Sequence, residues 1–473
     1  MEIIKKSKKL IEKILPKNVI KNDAKVRFNK FVTSIDVENN SKLVFNGLTG
    51  ELILLDNNYD VDDKDYLIDH YYVVNDELDD CKLVRDLREI LNIVGQTRTK
   101  GINAYTILTT TDCNARCFYC YEKGCEKHDM SIECANNVVD YILRHSYEDN
   151  NEENVYADDG NDNLSNATKK NKIKLAWFGG EPLFNNKVID VICNRLRENN
   201  REYYSSMISN GFLFDEELIN KASDLWHLKN IQITLDGTKD IYNKTKAYIN
   251  TTEDGFDRVI NNIRLLMNKG IRVSIRLNMN NDNYEDLYRL VDYLYNKFGV
   301  NDNYSVYSHL LFQDECKINS DYLRELYDKH LKLQEYINSF GILGNGLNSG
   351  VRSNWCMADS LNSVVILPDG RLHSCEHFVN NEIWGSIYND DNKRSVCYHN
   401  DEKITTPLQY WEERIEDIEE CKDCFNYPNC IRLKHCPDHF ENCSIEKRNE
   451  YKTRLEWAIL KAYKKHKDSN LKE

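Results

Sequence analysis

The sequence contains no uninterrupted apolar run near the ~18 residues that a membrane-spanning helix needs. Its opening, MEIIKKSKKLIEKILPK, has no apolar stretch followed by a small-residue cleavage site. These absences argue against a membrane partner and a secretory route, and imply a soluble, cytoplasmic chain. A basic surplus is also missing: 63 Lys+Arg against 77 Asp+Glu give a formal net charge of −14. A protein built to neutralise nucleic-acid phosphates would show the opposite balance, so no nucleic-acid partner is expected. Cysteine, by contrast, is abundant, with 16 among 473 residues. Disulfides do not persist in a reducing compartment, so clustered cysteines read as metal or cluster ligands.

At about 150 residues per domain the length predicts roughly three domains. The cysteines fall into a group between 113 and 125, a denser group between 356 and 443, and four scattered ones, Cys81, Cys134, Cys193 and Cys316. The scattered four lie in ordinary core-like patterns and read as small buried hydrophobes. Residues 1–98 predict a small α+β module: a Lys-rich amphipathic helix over Ile3–Ile14, then the strand-like runs KFVTSIDV, KLVF and ELILLD. Across 99–340 the strand candidates YTILTT, IKLAWF, YSSMIS, NIQITL, RVSIRL and YSVYSHLLF are separated by helix-length periodic stretches. Six β-then-α units in succession predict an α/β fold with a parallel sheet, curled into a partial (β/α)6 TIM-like barrel. An Asn/Asp/Glu-rich run over 146–172 reads as a disordered insertion. A Cys-dense domain over 341–445 follows. A Lys-rich helix from Ser444 to about Lys465 then closes the chain, so that 446–473 form its last segment.

Immediately after the first barrel strand stands Cys113-Asn-Ala-Arg-Cys117-Phe-Tyr-Cys120. A cubane iron-sulfur cluster has four irons, each taking one ligand, so three thiolates from one loop leave an iron open to a chelating ligand. Zinc is the other reading, because such spacings occur in zinc loops and Cys125 or His128 lies near enough in sequence to add a fourth ligand. The second strand ends in Trp177-Phe-Gly179-Gly180-Glu181-Pro182, the third in Ser209-Asn210-Gly211 and the fourth in Gln232-Ile-Thr234-Leu-Asp236-Gly237. All lie at strand C-termini, the mouth where barrels place chemistry. Paired glycines let backbone approach a ligand closely, and a carboxylate can pair with an ammonium group.

The run CNARCFYCYE followed by GGEP resembles the signature of radical S-adenosylmethionine (SAM) enzymes. The resemblance implies that Cys113, Cys117 and Cys120 hold a [4Fe-4S] cluster whose open iron chelates the methionyl group. The reduced cluster then cleaves SAM to a 5′-deoxyadenosyl radical. It further implies SAM contacts from Tyr119 near the adenine, Gly179, Gly180 and Glu181 at the methionyl ammonium, Asn210, Thr234 at the ribose, and Lys246 at the carboxylate. Relatives usually carry Arg at the last position, and Lys keeps the charge without the bidentate fork.

Further along, Cys356, Gly370, Cys375, Cys421, Cys424, Cys430, Cys436 and Cys443 resemble the seven-cysteine SPASM domain with two auxiliary clusters. The resemblance implies that Cys356, Cys375 and Cys436 ligate auxiliary cluster I, leaving an open iron, and that Cys421, Cys424, Cys430 and Cys443 ligate auxiliary cluster II. That makes three [4Fe-4S] clusters in all. The five-residue gap between Cys430 and Cys436 is longer than usual, Cys397 reads as a bystander, and a zinc ribbon is the plainer reading of the region.

Within this family the features resemble peptide maturases that form thioether crosslinks of the sactipeptide or ranthipeptide type. The implied partners are a ribosomally made, Cys-containing precursor peptide, its leader gripped by the N-terminal module, and an electron donor such as flavodoxin or ferredoxin. An anaerobic sulfatase-maturing enzyme making formylglycine is the nearest alternative, with Glu376 as its base where Asp is expected. A non-catalytic iron-sulfur electron carrier is the third.

Overall fold

The computed structural model describes every residue except 21–23, 59–60, 99–100, 121, 125, 147–171, 312–319, 345, 348–349, 355, 379–384, 390–396, 400–401, 406–409, 411, 437–442, 444 and 471–473. The expected disordered insertion, Cys125 and Cys316 therefore lie outside the described residues.

The chain opens not with a helix over Ile3–Ile14 but with strand β1 (Glu2–Lys5), followed by the short helix α1 (Lys9–Ile14). Strand β1 pairs antiparallel with β5 (Glu51–Asp56), Ile3 opposite Ile53, and so completes a four-stranded sheet with β4 (Ser41–Asn46) and β3 (Val32–Val37). Pairing along a sheet edge outweighs the helical periodicity of the isoleucines, a tertiary override of local propensity. Strands β2 (Val26–Phe28) and β6 (Val73–Asn75) form a separate ribbon flanking helix α2 (Val61–Asp69). The module also contains helix α3 (Asp80–Arg98), absent from the strand-rich expectation although Cys81, Val84, Leu87 and Leu91 recur at helical spacing and are all buried.

The central sheet runs β12-β11-β10-β9-β8-β7, where β7 is Ala104–Leu108, β8 Ile173–Phe178, β9 Tyr203–Ser209, β10 Leu228–Leu235, β11 Arg272–Met279 and β12 Tyr304–Leu310. Every neighbouring pair is parallel. Helices α4 (Ile132–His145), α5 (Asn186–Glu198), α6 (Glu216–Asp224), α7 (Lys239–Lys246), α8 (Gly255–Asn268), α9 (Tyr284–Phe298) and α10 (Ser320–Ser339) fill the crossovers. Ser131 caps α4 through Cys134 N–H, Asp215 caps α6 through Leu218 N–H, and Asp254 caps α8 through Asp257 N–H.

Burial alternates along the strands. Ile173, Leu175 and Trp177 of β8 are fully buried in the main core, while Lys174, Ala176 and Phe178 are partly open. This period-2 pattern packs one face on the helices and turns the other into the barrel lumen. Cys134 and Cys193 belong to this core and Cys81 to that of the N-terminal module, as small hydrophobes should.

The sheet does not stop where the barrel was expected to end. Strand β13 (Ser363–Ile366) pairs parallel with β7, and β14 (Arg371–His373) and β15 (Gly385–Ser386) continue antiparallel, so the start of the Cys-dense region extends the barrel sheet. Strands β16 (Cys397–His399) and β17 (Glu402–Thr405) form a separate hairpin. The last helix, α11 (Ile445–Asn470), packs Leu455, Ala458 and Ile459 against Leu43, Phe45 and Leu52 of the N-terminal sheet. Among the described residues, no helix is long and apolar enough to cross a membrane.

Candidate active site

The loop after β7 is stitched to the loop after β8. Gly180 N–H donates to Thr110 O at 3.1 Å, Glu181 N–H to Asp112 O at 2.9 Å, and Thr109 Oγ1 to Pro182 O at 2.9 Å. A Cβ at Gly179, whose φ is +126°, would stand 2.1 Å from Thr110 O, and one at Gly180 would stand 2.4 Å from Asp112 O. The two glycines thus let the β8 loop press against the cysteine loop, a closer reason for glycine than contact with a ligand alone. From the far side, Arg116 N–H donates to Lys246 O and Ile249 N–H to Asn114 O, tying the cysteine loop to the end of α7.

Glu181 lies beneath this junction, fully buried. Its carboxyl accepts hydrogen bonds from Ser209 Oγ at 2.8 Å, Asn210 N–H at 2.8 Å and Leu183 N–H at 3.2 Å. Burial pushes its pKa up to about 7, against the pull of those donors and of Lys246. Asn210 in turn donates through Nδ2 to Asn114 Oδ1 at 2.8 Å and towards Cys113 Sγ at 3.7 Å. The residues expected at the methionyl end, Gly179, Gly180, Glu181 and Asn210, are therefore gathered against Cys113.

Tyr119 and Lys246 meet in a second group. Lys246 Nζ lies 3.0 Å from Asp236 Oδ2 and donates to Tyr119 OH at 3.0 Å, while Tyr119 OH donates to Asp236 Oδ1 at 2.8 Å. Asn278 Nδ2 donates to the same Asp236 oxygen at 3.2 Å. Both members of the ion pair are sealed, Lys246 at 3% and Asp236 at 1% exposure. Burial opposes the ammonium charge, yet the Asp236 carboxylate and Tyr119 hold its pKa well above the usual lysine range. Lys246 thus has an internal counter-ion, and its charge also favours the Cys117 thiolate. Asp236 and Asn278 are the functional residues missed in the sequence. Asp236 stood in the motif at the end of the fourth strand, but nothing local marked it as the partner of Lys246. Thr234 takes a half-open lumen position on β10, in register with Arg276 of β11, which itself pairs with Tyr307 of β12.

Among the described residues, thirteen cysteines stand outside any disulfide. Burial drives the Cys113 thiol up to about 12, with Glu181, Cys117 and Cys120 adding to it. In the C-terminal domain Cys375 is raised by burial, Glu376, Cys356 and Cys436, and Cys356 is raised to about 11 by burial, Asp359 and Cys436. Cys424 is raised by burial, Cys443 and Cys421, and Cys430 to about 11 by burial, Cys424 and Cys443. Cys113, Cys356, Cys375, Cys424 and Cys430 each lie close enough to members of their own expected set to be raised by them. Several sulfurs also accept hydrogen bonds, from Ala115 N–H to Cys113 and Ala358 N–H to Cys356 at 3.3 Å, and from Arg432 to Cys421 and Arg448 to Cys443 at 3.8 Å. Clustered, half-buried thiols with donors aimed at several of their sulfurs suit a cationic iron centre, which deprotonates its ligands on binding. Among the described residues, no three His, Cys, Asp or Glu side chains converge tightly enough for a single metal ion. Glu376 is partly buried on the short 3-10 turn Glu376–Phe378, directly after Cys375.

Residues 107–294 match the family model described as "Radical SAM superfamily". This chain carries a radical SAM domain. The matched span runs from β7 into α9 and contains both the cysteine loop and the paired-glycine loop. A radical SAM cyclopropyl synthase, TigE of Paramaledivibacter caminithermalis, is 23% identical over 371 residues, covering 69% of this chain and 71% of that protein. An uncharacterized protein of Methanocaldococcus jannaschii is 25% identical over 305 residues, covering 62% of this chain and 91% of that one. Among solved structures, anSMEcpe with bound AdoMet and Kp18Cys peptide superposes with a TM-score of 0.50 at 17% identity, over 77% of this chain and 99% of that chain. The last likeness supports the radical SAM fold, a partial barrel on a central parallel sheet, and the radical SAM domain implies SAM and a [4Fe-4S] cluster.

Proposed function

We propose that this radical SAM enzyme acts on a Cys-containing, ribosomally made peptide and joins a cysteine sulfur to a carbon of another residue. Cys113, Cys117 and Cys120 would hold the [4Fe-4S] cluster whose electron cleaves SAM to a 5′-deoxyadenosyl radical. Asn210 orients the loop at Cys113, the Gly179–Gly180 backbone and Thr234 face the SAM position, and Tyr119 is fixed from behind by Lys246 and Asp236. Glu181 and Lys246 then support SAM binding chiefly by setting these neighbours.

The observation that carries the reading is the division of the C-terminal thiols. Cys436 acts on both Cys356 and Cys375, and Cys356 on Cys375, whereas Cys421 and Cys443 act on Cys424, and Cys424 and Cys443 on Cys430. The first set would hold auxiliary cluster I by three donors, and such a cluster supplies a soft position suited to a substrate thiolate. A peptide substrate agrees with the peptide bound in the anSMEcpe structure, and the full set of cofactors is three [4Fe-4S] clusters and SAM. The electron donor is a flavodoxin or ferredoxin.

Each thioether removes the thiol hydrogen and one carbon-bound hydrogen. The test is to reduce the reconstituted enzyme anaerobically with SAM and short Cys-containing peptides encoded beside its gene. The reading expects 5′-deoxyadenosine, a loss of two hydrogens per crosslink, and a cysteine that no longer alkylates. The same mass loss with a free thiol would mean carbon-carbon closure, as the name of TigE suggests for that enzyme. An aldehyde in place of the thiol would mean formylglycine, with Glu376 as the base to examine.

Leader binding belongs to the edge strand β3, by strand addition. Removing residues 1–98 is a poor test, because Ile11, Phe31 and Leu87 share a core with Val351 and Tyr427. Ser34→Pro, at an exposed position of β3, is expected to spare uncoupled SAM cleavage and slow processing of the full precursor.

A further inference from the structure

Three arginines with no carboxylate partner among the described residues surround one of the three thiol sets. Arg88, 7% exposed, reaches from α3 of the N-terminal module to donate to Cys430 O at 3.0 Å, across 342 residues of sequence, and also to Tyr427 O. Arg432, 9% exposed, directs Nη2 at Cys421 Sγ at 3.8 Å, while its Nη1 is buried with no hydrogen-bond partner. Arg448, on the first turns of α11, directs Nη1 at Cys443 Sγ at 3.8 Å. Among the described residues, none of the three forms a salt bridge to Asp or Glu. Desolvating guanidinium groups without an anion is costly, so this arrangement calls for negative charge at the thiols. At the barrel-mouth set the cations have carboxylate partners: Lys246, which acts on Cys117 ahead of Asp236, lies 3.0 Å from that Asp236, and Arg116, which donates to Cys113 O, lies 3.5 Å from Asp112.

Resting on the cluster assignment above, we propose that Arg88, Arg432 and Arg448 are positioning residues that raise the reduction potential of the cluster held by Cys421, Cys424, Cys430 and Cys443. Net charge and hydrogen bonds to sulfur are the protein's levers on such potentials. Reduction adds one negative charge, and fixed guanidinium charges a few ångströms away favour it without gaining or losing a proton. Arg88 makes the N-terminal module a structural part of this electron site.

The test uses the full chain carrying Cys113→Ala, Cys117→Ala and Cys120→Ala, reconstituted with iron, so that only the auxiliary clusters remain. Spectroelectrochemistry followed by electron paramagnetic resonance should show two auxiliary waves. Arg88→Gln is expected to move one of them to lower potential by roughly a tenfold change in the equilibrium, about 59 mV for one electron, with iron content unchanged. Arg88→Lys should restore most of the shift. Because Arg88 also joins two domains, Arg448→Gln on the partly open face of α11 serves as the second variant and should move the same wave. The exposed Arg289→Gln should move neither. Two unmoved waves in both Arg88→Gln and Arg448→Gln, with iron retained, would overturn the proposal. Iron at only one auxiliary site in the parent would overturn the cluster assignment itself, a failure that the iron count distinguishes.

Discussion

The thiols at the barrel mouth and the four thiols Cys421, Cys424, Cys430 and Cys443 share their donor chemistry but differ in how the cations beside them are paired. Around Cys113 and Cys117 the nearby charges are Glu181 and Asp236, with the cations Lys246 and Arg116 held against Asp236 and Asp112. Around Cys424 and Cys430 they are Arg448, Arg432 and Arg88. The first pattern suits a pocket that receives a cationic sulfonium cofactor, its carboxylates held in place by internal hydrogen bonds. The second suits a site that accumulates negative charge. The lesson is that ligand spacing identifies the donors, whereas the surrounding charges separate their roles.

The comparison breaks most completely if the sets are exchanged in function. Replacing Cys113, Cys117 and Cys120 together by Ala is expected to abolish 5′-deoxyadenosine formation while about eight of roughly twelve irons remain. Chromatography of the nucleoside products and an iron assay check both halves. Retained cleavage would assign SAM to another set.

Next in size is the buried pair at the barrel mouth. Asp236→Asn leaves the Lys246 ammonium without its counter-ion at 3% exposure, which should cost about 3–5 kcal/mol in denaturant unfolding. The double variant Asp236→Asn with Lys246→Met should recover part of that loss. Equal losses in the single and double variants would mean that the pair is not coupled.

A smaller effect, and one that depends on pH, belongs to Glu181. Its folded pKa of about 7 lies above the ordinary glutamate value of about 4.3. Stability from the neutral acid is therefore fully present below about pH 4.3 and is lost as pH rises through 7. Glu181→Gln should match the parent near pH 4 and exceed it by about 3 kcal/mol by pH 8, in the absence of SAM. A difference that does not change with pH would show that the carboxylate is ionised throughout, stabilised by Ser209, Asn210 and Leu183.

The smallest expected effect concerns the approach of the two loops. Gly180→Ala must displace Asp112 O from 2.4 Å, so it should lower SAM affinity roughly tenfold with iron content unchanged. Isothermal titration with SAM measures it, and unaltered affinity would remove the loop contact from the binding site.

Much of the architecture could be read from local pattern. Strand β8 and helix α9 coincide with the runs IKLAWF and YEDLYRLVDYLYNKF, because strands of alternating burial and amphipathic helices impose their periods on the sequence itself. The cysteine loop and the paired glycines were legible for a related reason: their chemistry depends on residue type at fixed short spacing. Local pattern failed where a segment's state depends on a distant partner. Residues 2–5 became a strand through their pairing with β5, whereas α3 carried its own helical spacing in Cys81, Val84, Leu87 and Leu91. The same holds for charge. Nothing near Lys246 in sequence announces Asp236 as its buried counter-ion, and nothing near Arg88 announces Cys430. Motifs, element order and donor identity thus follow from short-range chemistry. The charge around each donor set follows from side chains that meet only once the chain has folded, since electrostatic coupling depends on spatial distance and burial.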